Sequence, residues 1–176
     1  MTRPEPSPER LLAIYLRYHA AASHGGLDLF RRAARTQSDQ PVRDELSRLA
    51  AEVAQDQRAL LGILRALGIP RNRLAERAVS WTETIGRLKP NGTWVRRSRL
   101  SDVMELEALG VGVQAKKLGW QSLRQLCGSE DRLDEQRLDD LVRRATDQQD
   151  RIEELRLYAV RRTFVDTGAE SAGRQT

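Results

Sequence analysis

PVRDELSRLAAEVAQDQRALLGILRAL, residues 41–67, decides the fold. Val42, Leu46, Leu49, Val53, Leu60, Leu64 and Leu67 recur at steps of three, four and seven. That spacing puts all seven on one face of a helix. One residue breaks the face. Between Val53 and Leu60 the inward position is Asp56. A carboxylate in an apolar stripe is costly to bury without partners, so Asp56 marks a polar layer at mid-height of a bundle, or a site. Leucine there would complete the stripe, and the expectation from sequence is that Asp56→Leu is tolerated or stabilising.

The rest of the chain reads as helix in the same way. At 176 residues it is long enough for one domain with a real core. Leu, Ala, Arg, Glu, Gln and Asp dominate, and strand-like alternation is absent. Ser7-Pro8-Glu9 is a helix start, with Ser as cap and Pro in the first turn. Helix 1 runs from there to about Thr36, with an inward stripe of Leu11, Tyr15, Tyr18, Ala22, Gly25 or Gly26, Leu29 and Ala33. Ser38 or Asp39 caps helix 2, and Gly68-Ile69-Pro70 ends it. Helix 3 spans about Ser101 to Leu126 and helix 4 about Asp134 to Phe164. Residues 1–6 and 166–176 are polar and read as disordered termini around a single domain at 7–165.

Helix 3 is apolar on two sides. Val103, Leu106, Leu109 or Gly110, Val113, Trp120 and Leu123 form one stripe; Met104, Ala108, Val111, Ala115 and Leu118 form the other. The second needs a cover. Residues 71–100 supply a candidate: Leu74, Ala78, Trp81, Ile85 and Leu88 make a shorter amphipathic stripe, closed by the turn signal Pro90-Asn91-Gly92. Such a helix is long enough to bring the chain back along helix 2, so that helix 3 runs parallel to it. A second subunit is the competing cover.

Four long helices with a long connection between the second and third resemble the ferritin-like superfamily over about residues 8–165. Gly86 to Gly92 and Leu106 to Leu109 add to a resemblance to bacterial ferritin-like bundles whose ligand set has decayed. The resemblance implies an all-α ferritin-like four-helix bundle with an additional amphipathic helix in the crossover. It also implies where iron or manganese ligands would lie: Glu52 and Asp56 on helix 2, Glu107 on helix 3, and the region of Gln148, Gln149 and Glu153 on helix 4. Helix 1 lacks the expected Glu and offers His19, Ser23 and His24. Glu-x-x-His occurs nowhere in the chain. The favoured reading is a hydrogen-bonded polar layer of Asp56, Glu107, Gln148 and Gln149 with no cofactor.

Other signals are local. Gly25, Gly26, Gly110 and Gly112 interrupt helices, each at about 1 kcal/mol relative to Ala. They mark close backbone approach or a small cavity beside Asp56 and Glu107. His19 and His24 are five apart and do not share a face as a metal pair would. Net charge is +5, with arginine and acid interleaved at helical spacing. Arg87, Lys89, Arg96, Arg97 and Arg99, with Trp94 among them, form an acid-free cluster that suits an anion or nucleic acid. Cys127 is the single cysteine, which excludes an internal disulfide. No signal peptide or membrane span is present, which points to a cytoplasmic protein. These readings favour a non-enzymatic bundle with a structural or protein-interaction role, including a homodimer. A reduced carboxylate metal site and a nucleic-acid-associated protein are the alternatives.

Overall fold

Four polar residues start four helices. The computed structural model describes residues 5–37, 39–70 and 98–165. Ser7 caps α1 (Pro8–Thr36), Asp39 caps α2 (Gln40–Ala66), Ser98 caps α3 (Arg99–Arg124) and Asp134 caps α4 (Glu135–Phe164). In each case the side-chain oxygen accepts a backbone N–H of the first turn that has no partner within the helix. Ser98 and Ser101 do so reciprocally, which starts α3 two residues earlier than its apolar pattern suggests. Gly68 ends α2 at φ +68°. Its N–H donates to the Arg65 carbonyl and that of Ile69 to the Leu64 carbonyl, the paired closure that glycine permits. Among the described residues there is no strand.

The helices pack as a square: α1 on α2 and α3, and α4 on α2 and α3. Directions follow from contacts at the ends. Asp39, before α2, meets Arg162 near the end of α4 at 2.5 Å. Arg99, at the start of α3, donates to the Arg162 carbonyl at 3.2 Å. Both α2 and α3 therefore begin at the end of the bundle where α4 stops, and they run parallel. Thr36 and Gln40 flank a short turn, so α1 runs against α2. The bundle is up-down-down-up, as the sequence leads one to expect. The helix read at 72–88 lies outside the described residues, as do residues 1–4 and 166–176.

The core forms two apolar halves. One contains Phe30, Leu46, Leu49, Val53, Leu109, Val113 and Ile152. The other contains Leu16, Ala20, Leu60, Leu64, Trp120, Leu138 and Ala145. On α1 the expected stripe holds at Leu29 and Ala33, both buried, and differs in the first half of the helix. Leu11 is 50% exposed and Tyr18 59%, while Leu16, Ala20, Leu27, Phe30 and Ala34 point inward. That inward set has its own helical spacing, and two alanines in it hid its weight. The tyrosines belong at the rim, where an apolar ring can pack while its hydroxyl meets water or a polar group. Tyr15 does this by donating to Ser122 Oγ at 3.1 Å.

On α3 the first stripe is buried as expected. On the second, Val111 and Leu118 are 61% and 51% exposed. The expected cover by Leu74, Trp81, Ile85 and Leu88 lies outside the described residues.

Two glycine substitutions test this backbone in opposite directions. Gly68→Ala forces a side chain into a left-handed conformation and is expected to cost about 1 kcal/mol or more. Gly112 lies inside α3, and a Cβ added there meets nothing within 4 Å. Gly112→Ala is expected to add about 0.5–1 kcal/mol of stability. Urea unfolding of both variants measures the two signs.

Candidate functional site: a cation-filled polar layer

Between the two apolar halves lies one polar layer. Its members sit at equivalent positions on the four helices. Each occupies the place three residues after one buried side chain and four before the next: Ser23 between Ala20 and Leu27, Asp56 between Val53 and Leu60, Lys116 between Val113 and Trp120, Gln148 between Ala145 and Ile152. The i+3, i+7 pattern brings all of them to the bundle axis.

Asp56 is the centre, only 2% exposed. Lys116 Nζ donates to its Oδ2 at 2.5 Å and also to Gln148 Oε1. Arg144 Nη2 donates to Asp56 Oδ1. The Gln148 amide completes the set by donating from Nε2 to Glu52 Oε2 at 3.0 Å and to Asp56 Oδ2 at 3.3 Å. Gln148 thus receives from the ammonium at one end and donates to carboxylates at the other, the pattern that its two-sided amide allows. A second ion-pair group lies one turn along α4. Arg151 donates to Glu52 at 2.9 Å, to Glu45 at 2.6 Å and to Asp147 at 2.9 Å.

The electrostatics follow from burial and pairing. Burial pushes the Lys116 ammonium below its ordinary pKa, and the Asp56 carboxylate opposes that shift. The Arg151 guanidinium, hydrogen-bonded to three carboxylates, is shifted upward despite its burial. Burial works against ionising Glu45, but hydrogen bonds from Arg48 and Arg151 outweigh it and hold the carboxyl below the usual range.

The carboxylates of the layer are taken up by cations. Both oxygens of Asp56 already accept from cations, Lys116 on one and Arg144 on the other. Arg151 takes Glu52. A dinuclear carboxylate site needs several anionic or imidazole donors around each ion. Here an ammonium and two guanidinium groups neutralise the acids. Among the described residues no three His, Cys, Asp or Glu side chains converge on one point.

The structure brings some of the expected residues together and separates others. Asp56, Glu52 and Gln148 share the layer. Glu107 does not: it follows buried Leu106 by one residue, about 100° round the helix, and lies 3.8 Å from Arg156 with its side chain 55% exposed. Gln149 is likewise one residue past Gln148 and lines the α3–α4 groove with Glu107. Both leave the layer, and Lys116 takes the place assigned to Glu107. His24 Nδ1 lies 2.9 Å from the Ala20 carbonyl, and His19 packs its ring beside Tyr15 and Gly119. Of the basic cluster, Arg99 bonds the end of α4. Arg87, Lys89, Arg96 and Arg97 lie outside the described residues. Sequence reasoning missed Lys116, Arg144 and Arg151, although Val113 to Trp120 leaves the same seven-residue gap as Val53 to Leu60.

The pairing changes the expectation for Asp56→Leu. Removing the carboxylate leaves the Lys116 ammonium, 17% exposed, without its counter-ion. Breaking a buried pair from one side costs about 3–5 kcal/mol, whereas replacing both partners by apolar groups is often neutral or favourable. Asp56→Leu is therefore expected to destabilise by about 3–5 kcal/mol. Asp56→Leu with Lys116→Met is expected to recover about half of that loss, because Arg144, the other cation on Asp56, is still left without its partner. A double-mutant cycle by denaturant unfolding measures the coupling; additive effects would mean that the two groups act independently.

Neither the models of known protein families, nor the curated proteins, nor the solved structures compared with this chain match it.

Proposed function

We propose that this chain is a non-enzymatic ferritin-like helical bundle, with a structural or protein-interaction role, whose centre is held by its own cations in place of a metal. One observation carries the reading. Lys116 Nζ bridges Asp56 and Gln148 at the level where a ferritin-like bundle gathers its ligands. The up-down-down-up order of the helices, with α2 and α3 parallel, supports the ferritin-like part of the reading. An ammonium there supplies positive charge to the carboxylates without an open coordination position. No group in the layer is left free to act as a nucleophile or as a metal-bound base.

Metal analysis of protein purified without added metal tests the proposal. The expected result is less than stoichiometric iron and manganese, and a melting temperature unchanged by a chelator. Stoichiometric metal, with a melting temperature that falls on chelation, would overturn it.

The interaction role rests on the outer face of α3, where Val111 and Leu118 stand more than half exposed beside Gly110 and Gln114. Exposed apolar side chains in a row suit a protein partner or a second copy of the chain. No described helix is long and apolar enough to cross a membrane. Sedimentation velocity of the parent and of Val111→Arg checks the homodimer: self-association in the parent and a folded monomer in the variant are expected. Monomers in both would leave the structural role or a different partner.

A further inference from the structure

We propose that the cleft between α1, α2 and α3 is a binding site for a small, uncharged, mainly apolar molecule carrying one hydrogen-bond acceptor, such as a ketone or an ether. The cleft holds about 80 Å³, several times the ~10–15 Å³ of accessible space that a single water needs. Its walls are apolar, with Phe30, Val53 and Val113 among them, and the Asp56–Lys116 pair lies at one side.

Two helix-interior glycines line it. Gly26 on α1 and Gly112 on α3 both line the cleft, and a Cβ built on either meets none of the described residues within 4 Å. Close helix packing therefore does not account for them. Gly119 makes the contrast: a Cβ there would come 3.1 Å from the His19 ring, so tight contact explains that glycine. A glycine that no neighbour requires weakens a helix for no packing return. Room for a guest is a physical reason that fits both. Ala22, Ala108 and Ala115 enlarge the same space, and all three are only half-buried, as are Gly26 and Gly112. The cleft thus reaches the surface between α1 and α3.

A second, independent observation points to what the guest offers. Trp120 lines the cleft and is 3% exposed, yet among the described residues its indole N–H has no hydrogen-bond partner. A buried donor left unpaired is costly, and a guest with an acceptor removes that cost. The charge class follows from the pair beside it. Asp56 and Lys116 are paired with each other and both line the cleft, so its lining carries one acid and one base. An anion would meet the Asp56 carboxylate, and a cation would compete with the Lys116 ammonium for it. His19 at the rim has its pKa lowered by burial and adds no charge at neutral pH. A neutral guest remains.

The test uses the full chain labelled with ¹⁵N and cyclopentanone as the probe. The chain has three tryptophans, and Trp120→Phe identifies which indole signal is that of Trp120. Cyclopentanone is expected to shift that signal downfield in a saturable manner. Cyclopentane, of the same shape without the acceptor, should bind about 2- to 10-fold more weakly, the worth of one hydrogen bond. Acetate should give no saturable shift. Gly112→Leu fills the cleft and should abolish the response while the variant melts no lower than the parent. If Gly112→Leu does not fold, Gly26→Leu serves in its place. No saturable shift with cyclopentanone, equal binding of cyclopentane, or a response retained in the filled variant would each overturn the proposal. The first of these would mean that the indole N–H is satisfied by water alone.

Discussion

Everything at the middle of this bundle depends on the burial of one carboxylate. Asp56 is 2% exposed, and a carboxylate buried that deeply is costly unless cations pair with it. The charge comes from two other helices, Lys116 on α3 and Arg144 on α4. Because α2 and α3 sit on a diagonal of the square, only a long side chain can close the gap between them. Lysine brings four methylene groups that pack against apolar neighbours and an ammonium that reaches across. A buried pair of this kind adds little net stability compared with apolar packing. Its effect is on register. Sliding α3 by one turn would carry Lys116 about 5.4 Å along the axis and strand both charges. The apolar halves on either side would tolerate such a slip far better. Retaining the pair for conformational specificity is a role known from some buried polar groups in helical assemblies.

Much of this was legible in the sequence, and the reasons are specific. The caps Ser7, Asp39 and Asp134 and the terminator Gly68 declare helix ends through chemistry that depends on few neighbours. Asp56 and Gln148 are visible as gaps in otherwise regular stripes. Lys116 leaves the same kind of gap, but it precedes Lys117 in a helix with two apolar faces, and a lysine pair there looks like solvated surface. Glu107 attracted attention for its acid chemistry, although its position one residue past Leu106 sets it outside. Arg144 and Arg151 could not have been singled out. They flank Gln148 at steps of four and three, but so many arginines occupy comparable places that only three-dimensional pairing separates inward from outward. In the first half of α1 the large residues Leu11, Tyr15 and Tyr18 outweighed the small ones in the pattern, and the face came out rotated there, while Leu29 and Ala33 are buried as expected. Alanine gives a weak periodic signal even where it is wholly buried, as at Ala20.

The polar layer and the cleft have a common origin. Three helices send long side chains to the layer, and α1 sends only Ser23. Its hydroxyl accepts from Gln57 Nε2 at 3.2 Å and donates back to the Ala20 carbonyl at 2.7 Å, so it contributes no bulk toward the axis. The next turn of α1 offers Ala22 and Gly26, and the facing turns of α3 offer Ala108, Gly112 and Ala115. A layer filled from three sides and empty on the fourth leaves space on that fourth side, which is where the cleft lies. A bundle built only for rigidity would place Leu or Met at these positions, since such side chains fill gaps and favour helix. Small residues on both sides of the α1–α3 seam, with an indole donor left unpaired beside them, favour access over density. Rigidity comes from the ion pairs on the other side of the axis, so the fold keeps its register while one wall stays open.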